Sequence, residues 1–183
     1  MTRQGPGPIL ILCSFLIAWI LLPGPPWSPR PIRTAWAGSF TATPSAGIEN
    51  GGLAFGGNLR YFFVPNLAAE IDGAYGESVC QNGRLSETTL TANLVYAIHP
   101  ADRLTLFLAA GGGAGLFDLS RPLSSQGVLS LFDAGGGATF RIGKQVGLTV
   151  ENRWFLPLSG KIPDVLSGSL TASRWFLGLT TEF

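Results

Sequence analysis

The chain has 183 residues, enough for one domain and a targeting segment. Only 13% of its residues are charged, the net charge is +1, and no cluster of Lys and Arg points to nucleic acid as a partner. The mean hydropathy of +0.31 is high for a soluble protein, yet no apolar run after residue 22 reaches the roughly 20 residues that a membrane helix needs. Hydrophobicity spread over short segments in this way is typical of a membrane β-barrel.

The N-terminal segment has the three parts of a secretory signal peptide. Arg3 supplies a positive charge, residues 9–22 form an apolar core, and Ala35-Trp36-Ala37 has the A-x-A form that signal peptidase accepts. We therefore predict a cleaved signal peptide over residues 1–37 and a mature β-barrel domain over residues 38–183. A retained anchor helix is the alternative, although the apolar core is short for that role.

After residue 38 the apolar residues recur with period 2, which indicates β-strands, and no helical period stands out. Pro44 interrupts the first of these segments, and proline is tolerated mainly at strand edges and bulges. Most segments are near or above the roughly 9–11 residues that a tilted strand needs to cross a bilayer. We predict eight strands, at residues 39–47, 53–63, 67–77, 88–98, 103–117, 128–142, 146–156 and 168–183.

The connections between these strands alternate in length. Three are tight turns, at residues 64–66, 99–102 and 143–145. The others are longer or rich in turn residues, at residues 48–52, 78–87, 118–127 and 157–167. Short turns at one end and long loops at the other are the layout of outer-membrane barrels, and an even number of strands places both termini on the periplasmic side.

Each predicted strand has an apolar face and a polar face. In the seventh strand Leu148 and Val150 share one face, and Glu151 and Arg153 share the other. Because Arg or Lys facing lipid at mid-bilayer costs about 2–4 kcal/mol, we predict that the apolar face meets lipid and that the charges pair inside the barrel. Asn152 is the exception, on the lipid face. Four positive and five negative charges then lie inside and nearly cancel: Arg60, Glu70, Asp72, Asp133, Arg141, Glu151, Arg153, Arg174 and Glu182.

A soluble barrel has the same alternation with the opposite polarity, so the spacing of the aromatic residues has to decide. Aromatic pairs eight positions apart recur on the apolar face, and at a tilt of about 40° each spans roughly 20 Å along the membrane normal, close to the apolar band of about 25 Å. Aromatic rings favour membrane interfaces. We predict an outer girdle of Phe55, Tyr75, Phe132, Trp154 and Trp175, and a periplasmic girdle of Tyr61, Phe63, Tyr96, Phe140 and Phe183.

The last strand ends on Phe183, with Trp175, Leu177 and Leu179 on the same face behind it. This pattern looks like the sorting signal that the bacterial barrel-assembly machinery reads. Together with the alternation over residues 56–72, it makes the mature region similar to the small outer-membrane β-barrel family of the OmpA/OmpX type. The resemblance implies an all-β fold, an eight-stranded antiparallel up-and-down transmembrane barrel inserted from the periplasm, and usually no enzymatic activity. We predict no cofactor.

The predicted function is therefore structural or surface-interacting. The barrel would be surrounded by outer-membrane lipid and lipopolysaccharide, and its outer loops would meet an extracellular ligand that the sequence does not identify. A narrow channel and a barrel enzyme that modifies lipid A are the alternatives.

Few residues of the chain suggest a nucleotide-binding, catalytic or metal-binding site. The glycine runs at residues 111–113 and 135–137 lack the strand-to-helix context of a phosphate loop, and close packing of adjacent strands explains them better. His99 is the one histidine and falls in a predicted periplasmic turn without a serine neighbour, which disfavours catalysis. Cys80 would be the one cysteine of the mature chain, so we predict an unpaired loop thiol and no metal site.

Overall fold

The computed structural model describes residues 37–49, 52–80, 83–120, 125–160 and 172–183. Apart from Ala37, the predicted signal peptide lies outside these residues and stays a prediction. No helix in the described ranges is long and apolar enough to cross a membrane.

Eight antiparallel strands form a closed barrel in which each strand pairs with its neighbours in sequence and the last strand pairs with the first. This confirms the predicted up-and-down fold. The strands are β1 (Phe40–Glu49), β2 (Gly52–Val64), β3 (Leu67–Cys80), β4 (Gly83–Ala101), β5 (Leu104–Ser120), β6 (Ser125–Arg141), β7 (Val146–Gly160) and β8 (Ala172–Glu182).

The register of the strand pairs sets the tilt of the strands. A path that starts at Ser39 and Phe62 and follows paired residues from strand to strand returns to β1 at Glu49, ten residues further along. With about 3.3 Å per residue and about 4.8 Å between strands, this shift over eight strands tilts them by about 40° to the barrel axis. Each residue along a strand then adds about 2.5 Å along the axis.

The strands at the end opposite the termini are longer than predicted. The segments 78–87 and 118–127 were expected to be loops, but β3 and β4 stay paired as far as Cys80 and Gly83, and β5 and β6 as far as Leu119 and Ser125. Both expectations are wrong, because the backbone of these segments keeps its pairing although the regular alternation of apolar and polar residues in the sequence is lost. Cys80 accordingly ends a strand and is not a loop residue.

Two smaller differences between the predicted and the observed strands concern the turn after β4, at the end of the barrel near the termini, and the predicted link at residues 157–167. β4 continues through His99 and Pro100 to Ala101, so the predicted turn at 99–102 shortens. The first residues of the predicted 157–167 link belong to β7, and residues 161–171 lie outside the described part of the chain.

Pro44 does not interrupt β1. It pairs with Gly57 of β2, while the pairing of β1 with β8 omits Thr43 and Pro44 and resumes at Ser45. The missing N–H of proline therefore falls where the ladder is already open on one side.

Burial alternates along the strands with the polarity that the sequence analysis predicted. Glu151 and Arg153 are buried, whereas Leu148 and Leu177 are exposed on the outside of the barrel. Apolar side chains also fill parts of the interior, in three clusters. The first is Phe62, Ala68, Val95, Ala97, Phe107 and Ala109; the second is Phe117, Leu129, Leu131 and Phe155; the third is Ala54, Ala74 and Phe176.

The glycine runs make room for interior side chains. A Cβ on Gly135 would lie 2.3 Å from the carbonyl oxygen of Asn152 and 2.6 Å from Cδ of Arg153, and a Cβ on Gly111 would lie 2.3 Å from Oδ1 of Asn93. Since the neighbours include backbone, these contacts cannot be relieved by a rotamer change alone. Close packing, which the sequence analysis favoured for these runs, is what the geometry requires.

The substitution Gly135→Ala should lower the free energy of unfolding by about 1–3 kcal/mol, because the new methyl group overpacks the interior beside Arg153. Gly73→Ala is the matched control, since the nearest atom to a Cβ there is 3.8 Å away. Alanine at position 73 should be neutral or stabilise by up to about 1 kcal/mol. Equilibrium urea unfolding in lipid vesicles measures both, and equal effects at the two positions would contradict the packing argument.

Candidate functional site in the barrel interior

Four charged side chains form a closed ring in the middle of the barrel. Arg60 of β2 pairs through Nε with Glu70 of β3, and through NH2 with Glu151 of β7 at 2.9 Å. Arg153 of β7 pairs with the second oxygen of Glu70 and the second oxygen of Glu151. Each carboxylate therefore bridges two guanidinium groups. Such charge-assisted, multiply bonded pairs are the strong form of the ion pair.

A third carboxylate supports the ring from β6. Asp133 Oδ2 lies 3.1 Å from NH1 of Arg153 and accepts hydrogen bonds from Thr91 Oγ1 at 3.0 Å and Asn93 Nδ2 at 2.7 Å. Asn93 also donates to Glu70 at 3.1 Å, so it joins the two carboxylates. Arg153 and Asp133 are both 0% exposed. Arg153 is thus an arginine wholly removed from solvent and held by three carboxylates.

A second cluster lies nearer the end of the barrel opposite the termini. Arg174 of β8 pairs with Glu49 of β1 and Glu87 of β4, both at 2.8 Å, and donates from NH1 to Thr89 Oγ1 at 2.5 Å. Its guanidinium also stacks over the ring of Phe155, 4.5 Å from the centroid. A cation over an aromatic face is stabilised by the ring quadrupole, most of all where water is absent.

A chain of hydroxyl groups crosses the seam where β1 meets β8. Thr43 is 2.9 Å from Thr180, Thr180 is 2.5 Å from Thr149, and Thr149 is 2.8 Å from Thr139, oxygen to oxygen. A cavity of about 60 Å³ opens below this chain toward the termini, and Arg60 and Arg141 line it. The free space on this side is small, and most of the side chains that line it are polar or charged.

The structure brings together five of the nine charges that the sequence analysis placed inside. Arg60, Glu70, Asp133, Glu151 and Arg153 form one connected network. The others lie apart: Arg174 belongs to the second cluster, Arg141 and Glu182 form a half-exposed pair at 3.1 Å, and Asp72 is buried without an ion pair.

Sequence reasoning missed Glu49 and Glu87, because both were assigned to links between strands. A signal was available: Glu87 continues the polar face of Thr89, Thr91 and Asn93 at every second position. With these two residues the buried charges are three arginines against six carboxylates. The expected near-cancellation of charge is therefore wrong for the buried interior, which carries more carboxylates than arginines.

The outer face holds the ten residues of the predicted girdles, which are 38–74% exposed. From the strand register and tilt, Phe55, Tyr75 and Trp175 belong to one level and Tyr61 and Phe140 to another, the two levels being about 19 Å apart along the axis. Phe40, which the sequence analysis did not include, stacks on Tyr61 with 4.7 Å between ring centroids.

Asn152 does face outward, as expected, but it is not left without partners. Its amide nitrogen donates to Ser173 Oγ at 3.2 Å and to the carbonyl oxygen of Arg174 at 3.0 Å. These bonds reduce the cost of a polar side chain on the apolar face.

No group of three or more His, Cys, Asp or Glu among the residues described is arranged to hold a metal ion. His99 lines the small cavity near the termini, with Arg141 and Thr139, and makes no ion pair with a described carboxylate.

No protein-family model matches the chain, and no curated protein matches it. Solved structures do. The N-terminal β-barrel domain of Pseudomonas aeruginosa OprF is 16% identical with a TM-score of 0.59, over 80% of this chain and 98% of that one. OprG of the same organism is 11% identical with a TM-score of 0.57, over 84% and 99%. Neisserial surface protein A is 12% identical with a TM-score of 0.55, over 79% and 95%. The chain has the fold of these outer-membrane barrels.

The substitution Arg153→Met should lower the free energy of unfolding by about 3–5 kcal/mol, because it leaves buried carboxylates without their counter-charge. Arg141→Met is the matched control: its ion pair is half-exposed and should contribute at most about 1 kcal/mol. Adding Asp133→Asn to Arg153→Met should recover part of the loss, since it removes one unpaired charge. Urea unfolding curves of the three variants measure these free energies. An Arg153→Met variant as stable as the wild type would contradict the importance of the ring.

Proposed function

We propose that this protein is a non-enzymatic β-barrel of the bacterial outer membrane with a structural or surface-interacting role and a closed, charge-paired interior. The observation that carries the proposal is the reversed polarity of the barrel. Arg153 and Arg174 are 0% exposed inside, while Leu177 and Trp175 are 55% exposed outside. In water this arrangement would expose the apolar face at great cost, whereas in a bilayer each group has a suitable environment.

The two aromatic levels support the same proposal. Their separation of about 19 Å, together with side chains that extend beyond the ring centres, suits an apolar band of about 25 Å. Aromatic rings at such levels place an apolar body in the acyl region and a polar edge at the headgroups. The partners on this face would be outer-membrane lipid and lipopolysaccharide.

The C-terminal strand supports recognition during insertion. Trp175, Leu177, Leu179 and Phe183 are all exposed on the outer face of β8 and beyond its end. An assembly factor that inserts barrels from the periplasm could read this row before the strand pairs. We propose these four residues as the signal for the barrel-assembly machinery.

The interior argues for a plugged barrel over the narrow channel. Eight strands enclose a space just wide enough for side chains. At the level of the ring, Arg153, Asp133 and Glu70 span the lumen and are at most 2% exposed, and the apolar cluster around Phe117 and Phe155 lies beyond them. Ions would have to separate several buried ion pairs in order to pass, which costs several kcal/mol.

A surface role fits the uneven rim of the barrel. The β3–β4 hairpin ends at the pair Cys80 and Gly83, and by register it reaches about 16 Å beyond the outer aromatic level, whereas the β1–β2 pair Glu49 and Gly52 reaches about 5 Å. Exposed connecting segments on a rigid scaffold are where binding residues are most often placed. An enzyme acting on lipid A is disfavoured because His99 lies at the opposite end.

The substitution Leu177→Arg tests the membrane assignment. Leu177 lies midway between the two aromatic levels, so a charge there should lower the free energy of unfolding of the barrel in lipid by about 2–4 kcal/mol. Ile142→Arg is the control, because Ile142 is similarly exposed but lies at the periplasmic rim, where the cost falls to about 0–1 kcal/mol. Gel mobility without boiling measures the folded fraction in vesicles. A barrel that folds without lipid or detergent and tolerates both changes would refute the proposal.

The closed interior predicts that the purified, refolded protein shows no stepwise current in a planar lipid bilayer. Heat-unfolded protein in the same detergent serves as the background control. Reproducible single-channel steps from folded protein, absent from that control, would contradict the plugged interior and favour the narrow channel.

A further inference from the structure

A groove lies on the outer wall of the barrel, where β4, β5 and β6 extend beyond the outer aromatic level. It encloses about 630 Å³. Most of the described residues that line it face away from the barrel interior, in two rows that are paired across the three strands. The upper row is Ser86, Asp118 and Gln126, and the lower row is Thr88, Leu116 and Val128. This outer groove therefore has a hydrogen-bonding edge and a largely apolar floor.

The strand register sets the height of the outer groove above the membrane. With about 2.5 Å per residue along the axis, the lower row lies about 9 Å and the upper row about 14 Å above the outer aromatic level. Both rows are thus beyond the apolar band of about 25 Å and at the level of the headgroups of the outer leaflet. A ligand in the groove has the barrel wall on one side and headgroups on the other.

The apolar floor is not explained by contact with acyl chains. Leu116 and Val128 are paired with each other across β5 and β6 and are 56% and 59% exposed, although both lie above the apolar band. Thr88 adds a methyl group to the same row, on the other side of Leu116. Neighbouring apolar side chains that stay exposed in a polar environment indicate a contact surface.

The polar edge has hydrogen-bonding capacity that the chain does not use. Gln126 donates from Nε2 to Oδ2 of Asp118 at 3.0 Å, and Ser86 donates from Oγ to the backbone oxygen of Asp118 at 3.4 Å. Among the residues that the structure describes, nothing forms an ion pair with Asp118 or donates to its second carboxylate oxygen. The edge therefore offers acceptors to a ligand that brings hydroxyl groups.

A sugar ring fits this combination of surfaces. One face of a pyranose consists of C–H groups and suits an apolar floor, while its edge carries hydroxyl groups that donate to carboxylate and amide oxygens. No Lys or Arg is among the described residues that line the groove, so a phosphate group would find no counter-charge in its wall. The carboxylate of Asp118 itself would repel a phosphate.

We propose that the outer groove binds a sugar ring of lipopolysaccharide, the glycolipid of the outer leaflet around the barrel. The ligand comes from the leaflet because the groove is continuous with the lipid-facing surface: Leu90, two residues below Thr88 on the same face of β4, is 62% exposed toward lipid. A saccharide from the medium would first have to displace the surrounding headgroups. The proposal rests on the outer-membrane function proposed above and gives its glycolipid partner a site.

The experiment measures how fluorescently labelled rough-type lipopolysaccharide, which carries core sugars, binds to the full chain folded in phosphatidylcholine vesicles. The double variant Asp118→Ala/Gln126→Ala should weaken binding by roughly tenfold, because it removes hydrogen bonds to the sugar. Simple electrostatics predicts the opposite, since removing a negative charge favours an anionic lipid. Leu116→Ala/Val128→Ala should also weaken binding, through loss of the floor.

The matched control is Asp102→Ala/Gln145→Ala, which changes the same residue types at exposed positions near the termini and should leave binding unchanged. Three results would overturn the proposal: binding by Asp118→Ala/Gln126→Ala that is unchanged or tighter, an equal loss in the control, or competition by phosphatidylglycerol as strong as that by unlabelled lipopolysaccharide. Loss of wild-type binding on chelation would also overturn it, because a divalent cation would then bridge Asp118 to phosphate.

Gel mobility without boiling reports folding separately from binding. Variants that fold in the vesicles but bind like the wild type would refute the sugar site alone. A wild-type chain that does not fold in lipid would instead refute the membrane barrel proposed above.

Discussion

The burial of Arg153 among three carboxylates is the constraint on which the rest of this barrel depends. A guanidinium that is 0% exposed is tolerated only where its nitrogens meet acceptors, and here Glu70, Asp133 and Glu151 provide one for each of the three nitrogens. Three carboxylates can approach one side chain only if the walls between them carry nothing bulky. Gly111 and Gly135 meet that requirement, because each leaves the space into which a neighbouring polar side chain extends.

The same ring explains why the barrel has one register. Successive residues of a strand face opposite sides, so a slip of one residue would turn Glu151 and Arg153 outward and Val150 and Asn152 inward. Such a slip would break several ion pairs at once and place their charges on the apolar face. Whatever its net contribution to the stability of the barrel, the ring strongly disfavours other strand registers. Fixing the register is the best-supported role of buried ion pairs in proteins.

Much of the fold follows from the alternation of apolar and polar residues alone. In β7, for example, this period-2 pattern already places Leu148 on one face of the strand and Glu151 on the other. The site is less predictable for two physical reasons. Beyond the apolar band, the outer face of a strand becomes polar and alternation disappears, which hid Glu49 and Glu87. Partners across the lumen are also set by the shift of the register around the barrel, which brings Arg153 to Glu70, 83 residues away in sequence. No local pattern contains that shift.

A filled lumen also restricts where this protein can act. The side chains that hold the barrel together occupy the space through which a solute would pass, so in the proposed surface role specificity lies on the outer surface or at the ends. The two ends differ: near the termini the strands meet in short turns around a cavity of about 60 Å³, whereas β3 to β6 extend well past the aromatic level on the other side. The two strands of each long hairpin stay paired with each other as far as they are described, and their side chains are free of the constraints that the interior imposes. The charged interior and the projecting hairpins are thus formed by different residues of the same strands.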